Sequence, residues 1–303
     1  MSLEGRTDLK QPGDTEDPAE DPILQRLRSV VKDNPDLMEA ARVYEVILPA
    51  LRDAEITVRP ISMTAAEASA KLERGVPLLH DVPLEIDDQE VCGLMMRLAS
   101  ALERSAGQNT AHADAARSIR LALDEGKLDV SSLLPDIAAG VSEGISSAAQ
   151  NLGLDSGMFR TLLSDAMEPF MRQWCRQLGP LADGVPWDHG QCPVCGAAAT
   201  MAELQGNNQA KHLRCGSCGA DWTFRRLRCL YCGNEDHQTL GLLYTEDHND
   251  KMRVEVCDRC HGYLKVITAF APTPAEMLAV EDLATLHLDY IARGRGYSRV
   301  EAL

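Results

Sequence analysis

From Asp21 onward the apolar positions fall into helical registers. Ile23, Leu24, Leu27, Val30 and Val31 recur at three- and four-residue intervals, which predicts a first helix to about Lys32, with Asp21 as its cap and Pro22 in its first turn. Asn34-Pro35 interrupts it, and Leu37, Met38, Ala41, Tyr44 and Leu48 mark a second helix ending between Pro49 and Asp53. Residues 64–72 form a third, in which Thr64 and Glu67 have the spacing of a capping box. Pro77 and Pro83 make residues 75–84 extended. Helices then resume over 87–105, 110–124, 133–152 and 156–178, the last kinked at Pro169. The pattern predicts an all-helical domain over residues 21–184.

Beyond Gly179-Pro180 and Val185-Pro186 the period changes from about four to two, and short alternating strands separate glycine-bearing knuckles. A strand over 200–204, the turn signal Gly206-Asn207-Asn208 and a return over 211–214 predict one hairpin. Residues 239–244, a turn at Asp247 to Asp250 and a return over 253–256 predict a second. Tyr263, Leu264, Val266 and Ile267 continue toward Phe270 as a strand, and Thr273-Pro274 opens a final helix through Leu278, Leu283, Leu286 and Ile291. The expected fold is α+β and multidomain: a helical N-terminal domain, two tandem rubredoxin-like or zinc-ribbon-like β modules over residues 185–226 and 227–271, and a C-terminal helix and tail over 272–303. Residues 1–20 hold six acids, two bases and two prolines, and are expected to be a disordered acidic tail.

The charge narrows the function classes. A formal net charge of −16 speaks against a protein that wraps nucleic acid, because such binding depends on Lys and Arg displacing counterions from phosphates. No uncharged apolar run reaches the length of a membrane span, and the polar, acidic N-terminus is unlike a signal peptide, so a cytoplasmic protein without membrane insertion is expected.

The chemistry lies in the cysteines. Eight of the ten form four Cys-x-x-Cys pairs, Cys192/Cys195, Cys215/Cys218, Cys229/Cys232 and Cys257/Cys260, separated by 19, 10 and 24 residues. Such a turn lets two thiolates converge on one ion, and Gly196, Gly219 and Gly233, each following a second cysteine, suit the positive φ of a metal knuckle. The fourth knuckle departs, with His261 in that place. Four pairs make two four-sulfur metal sites. The hairpins join the first pair with the second and the third with the fourth, leaving residues 219–228 as a connector; cross-bracing of alternate pairs is the rival arrangement. Sulfur ligation suits zinc, which would serve folding alone, and equally iron, which would make a redox centre.

Cys92 and Cys175 sit alone in helical patterns and read as packing residues. His189, His212, His237, His248 and His261 are not needed as ligands once eight sulfurs are counted. Arg214, Arg225, Arg226 and Arg228 would complement the cages, meet an acidic partner, or form a solvated basic face. Asp165 and Glu168 form a helical acid pair to which no catalysis is assigned. The chain shows no phosphate loop, dinucleotide fingerprint or sequence-legible catalytic triad, and it is read as not an enzyme.

The knuckles and their neighbours, Cys192-Pro-Val-Cys-Gly, Leu213-Arg-Cys-Gly-Ser-Cys-Gly-Ala-Asp-Trp222, Cys229-Leu-Tyr-Cys-Gly-Asn234 and Cys257-Asp-Arg-Cys-His-Gly-Tyr-Leu-Lys265, resemble the FdhE family of formate dehydrogenase accessory proteins. The resemblance continues through Val280-Glu-Asp-Leu-Ala-Thr-Leu-His-Leu-Asp289 and is strongest over about the last 115 residues. It implies a cytoplasmic maturation factor that binds the catalytic subunit of a respiratory formate dehydrogenase before export, and it implies iron on the eight cysteines. A rubredoxin-like electron carrier and a zinc-ribbon nucleic-acid-binding protein are the alternatives.

Overall fold

The computed structural model describes residues 21–105, 110–133, 143–245 and 251–299. The acidic tail over 1–20, the turn at Asp247 to Asp250, His248, and part of the expected 133–152 helix lie outside the described residues.

Among the described residues the N-terminal part is helical, and its helices start where side chains satisfy the free N–H groups of a first turn. The first, α1 (Pro22–Asp33), has Asp21 accepting a hydrogen bond from the Ile23 N–H at 2.9 Å. After a 3₁₀ turn at Pro35–Leu37 comes α2 (Met38–Arg52). In α3 (Ala65–Glu73) the Thr64 side chain accepts from the Glu67 N–H while Glu67 accepts from the Thr64 N–H, a complete capping box. Helix α4 (Asp88–Ser105) buries Val91, Leu94, Met95, Leu98, Ala99 and Leu102, one continuous stripe. Helices α5 (Thr110–Asp124) and α6 (Glu143–Asn151) lead to α7 (Ser156–Leu178), which contacts α2, α4, α5 and α6. It buries nine side chains, Phe159, Phe170 and Trp174 among them, despite Pro169 in its interior. Burial of that many large side chains makes α7 the spine of the body, each aromatic contributing roughly 3–5 kcal/mol by the usual cost of truncation.

The C-terminal part is one six-stranded sheet in the order β3-β2-β1-β6-β5-β4. Its strands are β1 (Met201–Gln205), β2 (Ala210–Arg214), β3 (Asp221–Thr223), β4 (Leu240–Leu243), β5 (Met252–Cys257) and β6 (Tyr263–Ala269). The first hairpin turns at 206–209, where Gly206 and Gln209 take positive φ of 65° and 50°. Neighbouring strands are antiparallel except β1 and β6, which run parallel with Ala202 opposite Val266 and Leu204 opposite Thr268. The two ribbons are therefore fused edge to edge. Strand β3 arises inside the stretch expected to be a connector: Trp222 is buried and paired opposite Leu213 while Asp221 and Thr223 face out.

The apolar core runs without a break from α4 and α7 into the first ribbon, where it includes Leu204, Leu213, Trp222 and three of the first four cysteines. The final helix divides into α8 (Leu278–Ala284) and α9 (Leu286–Gly294). The break falls at buried Thr285, whose hydroxyl donates to the Glu281 carbonyl at 2.8 Å and reaches the Asp282 carbonyl at 3.1 Å, the acceptor that the Leu286 N–H would have used in a continuous helix. Helix α8 packs on α1 and α2, while α9 covers one face of β5 and β6 with Leu288 and Ala292 against Val254, Val256 and Tyr263. Beneath it Lys265, wholly buried, donates to Asp289 at 2.7 Å and to the Asp282 carbonyl at 2.7 Å, and the Tyr263 hydroxyl donates to Asp289 at 2.6 Å. No helix of the described residues is long and apolar enough to cross a membrane.

Candidate metal centres

Each knuckle is built the same way. The N–H of the residue after the second cysteine donates to the carbonyl of the first, from Gly196, Gly219, Gly233 and His261 at 2.8 to 3.0 Å. The first cysteine's N–H donates to the residue five positions on, at 2.8 to 3.0 Å. This closure requires positive φ at the residue after the pair: 82°, 79° and 69° at the three glycines and 55° at His261. The fourth knuckle thus keeps the conformation without the residue that adopts it most easily.

The sulfurs of Cys192, Cys195, Cys215 and Cys218 lie within 4.8 Å of one another, and so do those of Cys229, Cys232, Cys257 and Cys260. The pairs are grouped first with second and third with fourth. None is in a disulfide. Across the first cage Cys192 and Cys218 are 3.6 Å apart and Cys195 and Cys215 3.5 Å; across the second Cys229 and Cys260 are 3.6 Å apart and Cys232 and Cys257 3.7 Å. A tetrahedron with metal–sulfur bonds of about 2.3 Å has edges of about 3.8 Å. Both cages therefore fit a four-coordinate thiophilic ion, and each could hold one. Neither separation nor donor type distinguishes iron from zinc.

The electrostatics of the two cages differ with their burial. In the first, burial pushes the Cys192 thiol up, while hydrogen bonds from Cys192, Cys195 and Cys218 hold Cys215 well below the ordinary thiol range. In the second, burial raises Cys229. Burial acts upward on Cys257 as well, but N–H groups of Cys260 and Arg259 and the Asn234 amide, 3.5 Å from its sulfur, bring it down to about 7. In each cage one thiol is thus shifted downward relative to its neighbours. Metal entry would displace the protons left on the sulfurs.

The first cage is enclosed by the helical body. The Leu78 and Leu79 N–H groups donate to the Pro193 and Val194 carbonyls at 2.9 and 2.8 Å, and Arg172 of α7 donates to the Ala275 carbonyl at 3.1 Å beside Gly219. Cys175, read from sequence as packing, lies alongside Cys218, and that contact lowers its thiol below the ordinary range. The second cage stands at the surface: Cys232 is exposed and Cys260 partly so. Gly190 lets the two regions meet, since any side chain there would run into the Leu230 backbone.

Among the described residues no histidine joins either cage. The arginine cluster separates. Arg214 is buried against Glu203 at 2.7 Å, and Arg225 and Arg228 pair with Asp188, leaving Arg226 without an ion pair among the described residues. Glu168 pairs with Arg172, and Asp165 lies one turn before it. Asn234 and Cys175 are the neighbours of the cages that pattern reading missed. The asparagine, one residue past Gly233, places its amide N–H groups toward the Cys257 sulfur, while the cysteine's approach depends on α7 packing and leaves no local signal.

Comparison with known proteins extends over most of the chain. Residues 227–302 match the family described as "FdhE, C-terminal domain". A "Protein FdhE homolog" of Aquifex aeolicus (strain VF5) is 29% identical over 168 residues, 52% of this chain and 55% of that protein. Its counterpart in Shewanella baltica (strain OS185) is 33% identical over 108 residues, 35% of each. The chain thus spans about half, or less, of the length of these first relatives. A homolog from Shewanella oneidensis is 27% identical over 278 residues, 90% of this chain and 83% of its own length. The crystal structure of the FdhE protein from Pseudomonas aeruginosa shares the fold, with a TM-score of 0.60, 23% identity and 92% of both chains covered. Residues 227–302 of the chain thus match the FdhE C-terminal domain, and over most of its length the chain is similar to an FdhE homolog.

Proposed function

We propose that the protein is a cytoplasmic, non-enzymatic accessory factor for the maturation of a respiratory formate dehydrogenase, that it docks that enzyme's catalytic subunit, and that each cage carries one iron on four sulfurs. The observation that carries the reading is the pair of four-sulfur cages inside a region that matches the FdhE C-terminal domain. Iron bound there would supply a one-electron redox centre or a redox-sensitive surface. The chain itself holds the thiolates, closes the knuckles with backbone N–H groups, and seals the first cage under α7. Protein purified anaerobically at native expression is expected to contain two iron per chain and to be coloured; two zinc in a colourless protein would make the sites structural only. Tagged protein is expected to retain the catalytic subunit from cell extract.

An electron carrier is the second reading, favoured by the exposed Cys232 at the second cage. It requires reversible bleaching with a physiological donor at catalytic rates. Burial of Cys192, Cys215 and Cys218 speaks against such exchange at the first cage.

A further inference from the structure

The face of β5 and β6 opposite α9 is covered only in part. Leu264 and Val266 of β6 join the main core, whereas toward the sheet edge the same face is open. There a groove of about 570 Å³ runs between residues 226–231 and β4, lined by Leu227, Leu230, Leu240 and Leu242 and bordered by Arg226 and Arg253. Leu227 is 70% exposed and Leu242 52%, so two large apolar side chains face water at its rim.

Three observations together indicate what such a groove receives. First, β4 is the terminal strand of the sheet, so one side of its backbone has no strand partner among the described residues, the arrangement that an added extended strand completes. Second, Arg226 and Arg253 make no ion pair among the described residues, and the Arg253 Nε is buried with no hydrogen-bond partner. An uncompensated guanidinium nitrogen at the edge of an apolar groove is costly unless an acceptor arrives. Third, the acid that lines the groove, Glu255, is already taken by the buried Lys211 ammonium. Among the described residues this leaves the Arg226 and Arg253 guanidinium groups as the side-chain charges without a carboxylate partner along an apolar trough.

We infer that the groove beside β4 docks an extended segment of a partner chain in which apolar side chains enter between Leu227 and Leu242 and one or two carboxylates meet Arg226 and Arg253. Resting on the accessory reading above, the partner is the catalytic subunit. Cys229 and Cys257 also line the groove, so the docked segment lies against the second cage.

The test uses the full chain with a photo-crosslinking residue at Leu227 or Leu242 and, as controls, at Phe270 or Tyr290, which are 81% and 68% exposed elsewhere. Tyr290 lines the larger cleft of about 1060 Å³ between α2 and α9. The expected result is that positions 227 and 242 crosslink the purified catalytic subunit at a segment carrying Asp or Glu, and that positions 270 and 290 do not. Arg226→Glu with Arg253→Glu should weaken binding of the subunit at least tenfold while keeping wild-type metal content and melting temperature, and Arg226→Lys with Arg253→Lys should retain most of it. A subunit that binds but crosslinks only from Phe270 or Tyr290, or binds the charge-reversed protein unchanged, overturns the groove and leaves the accessory reading standing. Crosslinks to a second copy of this chain would likewise overturn the named occupant. A wild-type protein that never retains the subunit overturns the accessory reading, and this occupant with it.

Discussion

The fourfold knuckle shows how much one backbone angle matters. Gly219 has φ +79°, and a Cβ there would lie 2.5 Å from that of Ala275, so Gly219→Ala combines backbone strain with overpacking and is expected to cost about 2–4 kcal/mol in urea unfolding. His261 holds the same position in the fourth knuckle at φ 55°; His261→Gly relieves its strain and should change stability by less than about 1 kcal/mol. Equal costs at the two sites would mean that the angle does not govern knuckle stability. Asp165 is a different case, since burial and then the neighbouring Glu168 charge push its carboxyl up to about 7 from an ordinary value of 3.8. Between those values the folded state binds more protons than the unfolded one, so this group's stabilising contribution is complete below the ordinary value and is lost as pH rises toward 7. Asp165→Asn should therefore raise stability at pH 8 by roughly 1–4 kcal/mol and leave it nearly unchanged at pH 4, read by thermal unfolding at both pH values.

Among the elements, those that announce themselves locally are found where their residues say. The Thr64 and Glu67 capping box, the Asp21-Pro22 helix start and the Gly206 turn are each decided within a few residues. Strand β3 has only three residues, too few for alternation to register, and its existence depends on Trp222 reaching the core opposite Leu213. The division at Thr285 was equally hidden, because apolar periodicity continues through it and only the buried hydroxyl marks the stop. The charged strap under α9 belongs to the same class. Lys265 and Asp289 are 24 residues apart and each reads as an ordinary surface charge until helix and sheet meet. Asp289→Ala would leave a buried ammonium with fewer acceptors, and the expected loss is about 3–5 kcal/mol, with hydrogen exchange rising first in α9 and β6. An unchanged exchange pattern would show that the strap does not hold α9 down.

For the whole molecule, the eight ligand candidates were legible because identical short spacings carry their own chemistry, whereas the unequal setting of the two cages was not. Three cysteines of the first cage belong to the core shared with α4 and α7, while the second cage is bordered by the groove and solvent. Losing the first ion should therefore loosen the helical body and losing the second should not. Cys195→Ser is expected to lower the melting temperature of the helical part, followed by far-ultraviolet circular dichroism, and Cys232→Ser to leave it within a few degrees while each removes one metal per chain. The parallel pairing of β1 with β6 adds a constraint in time. During synthesis the first ribbon emerges with all four of its sulfurs while the strand that must lie beside β1 is still some 60 residues away. Its flank stays bare, and open to wrong pairing, until Tyr263–Ala269 arrives and zips the two ribbons shut.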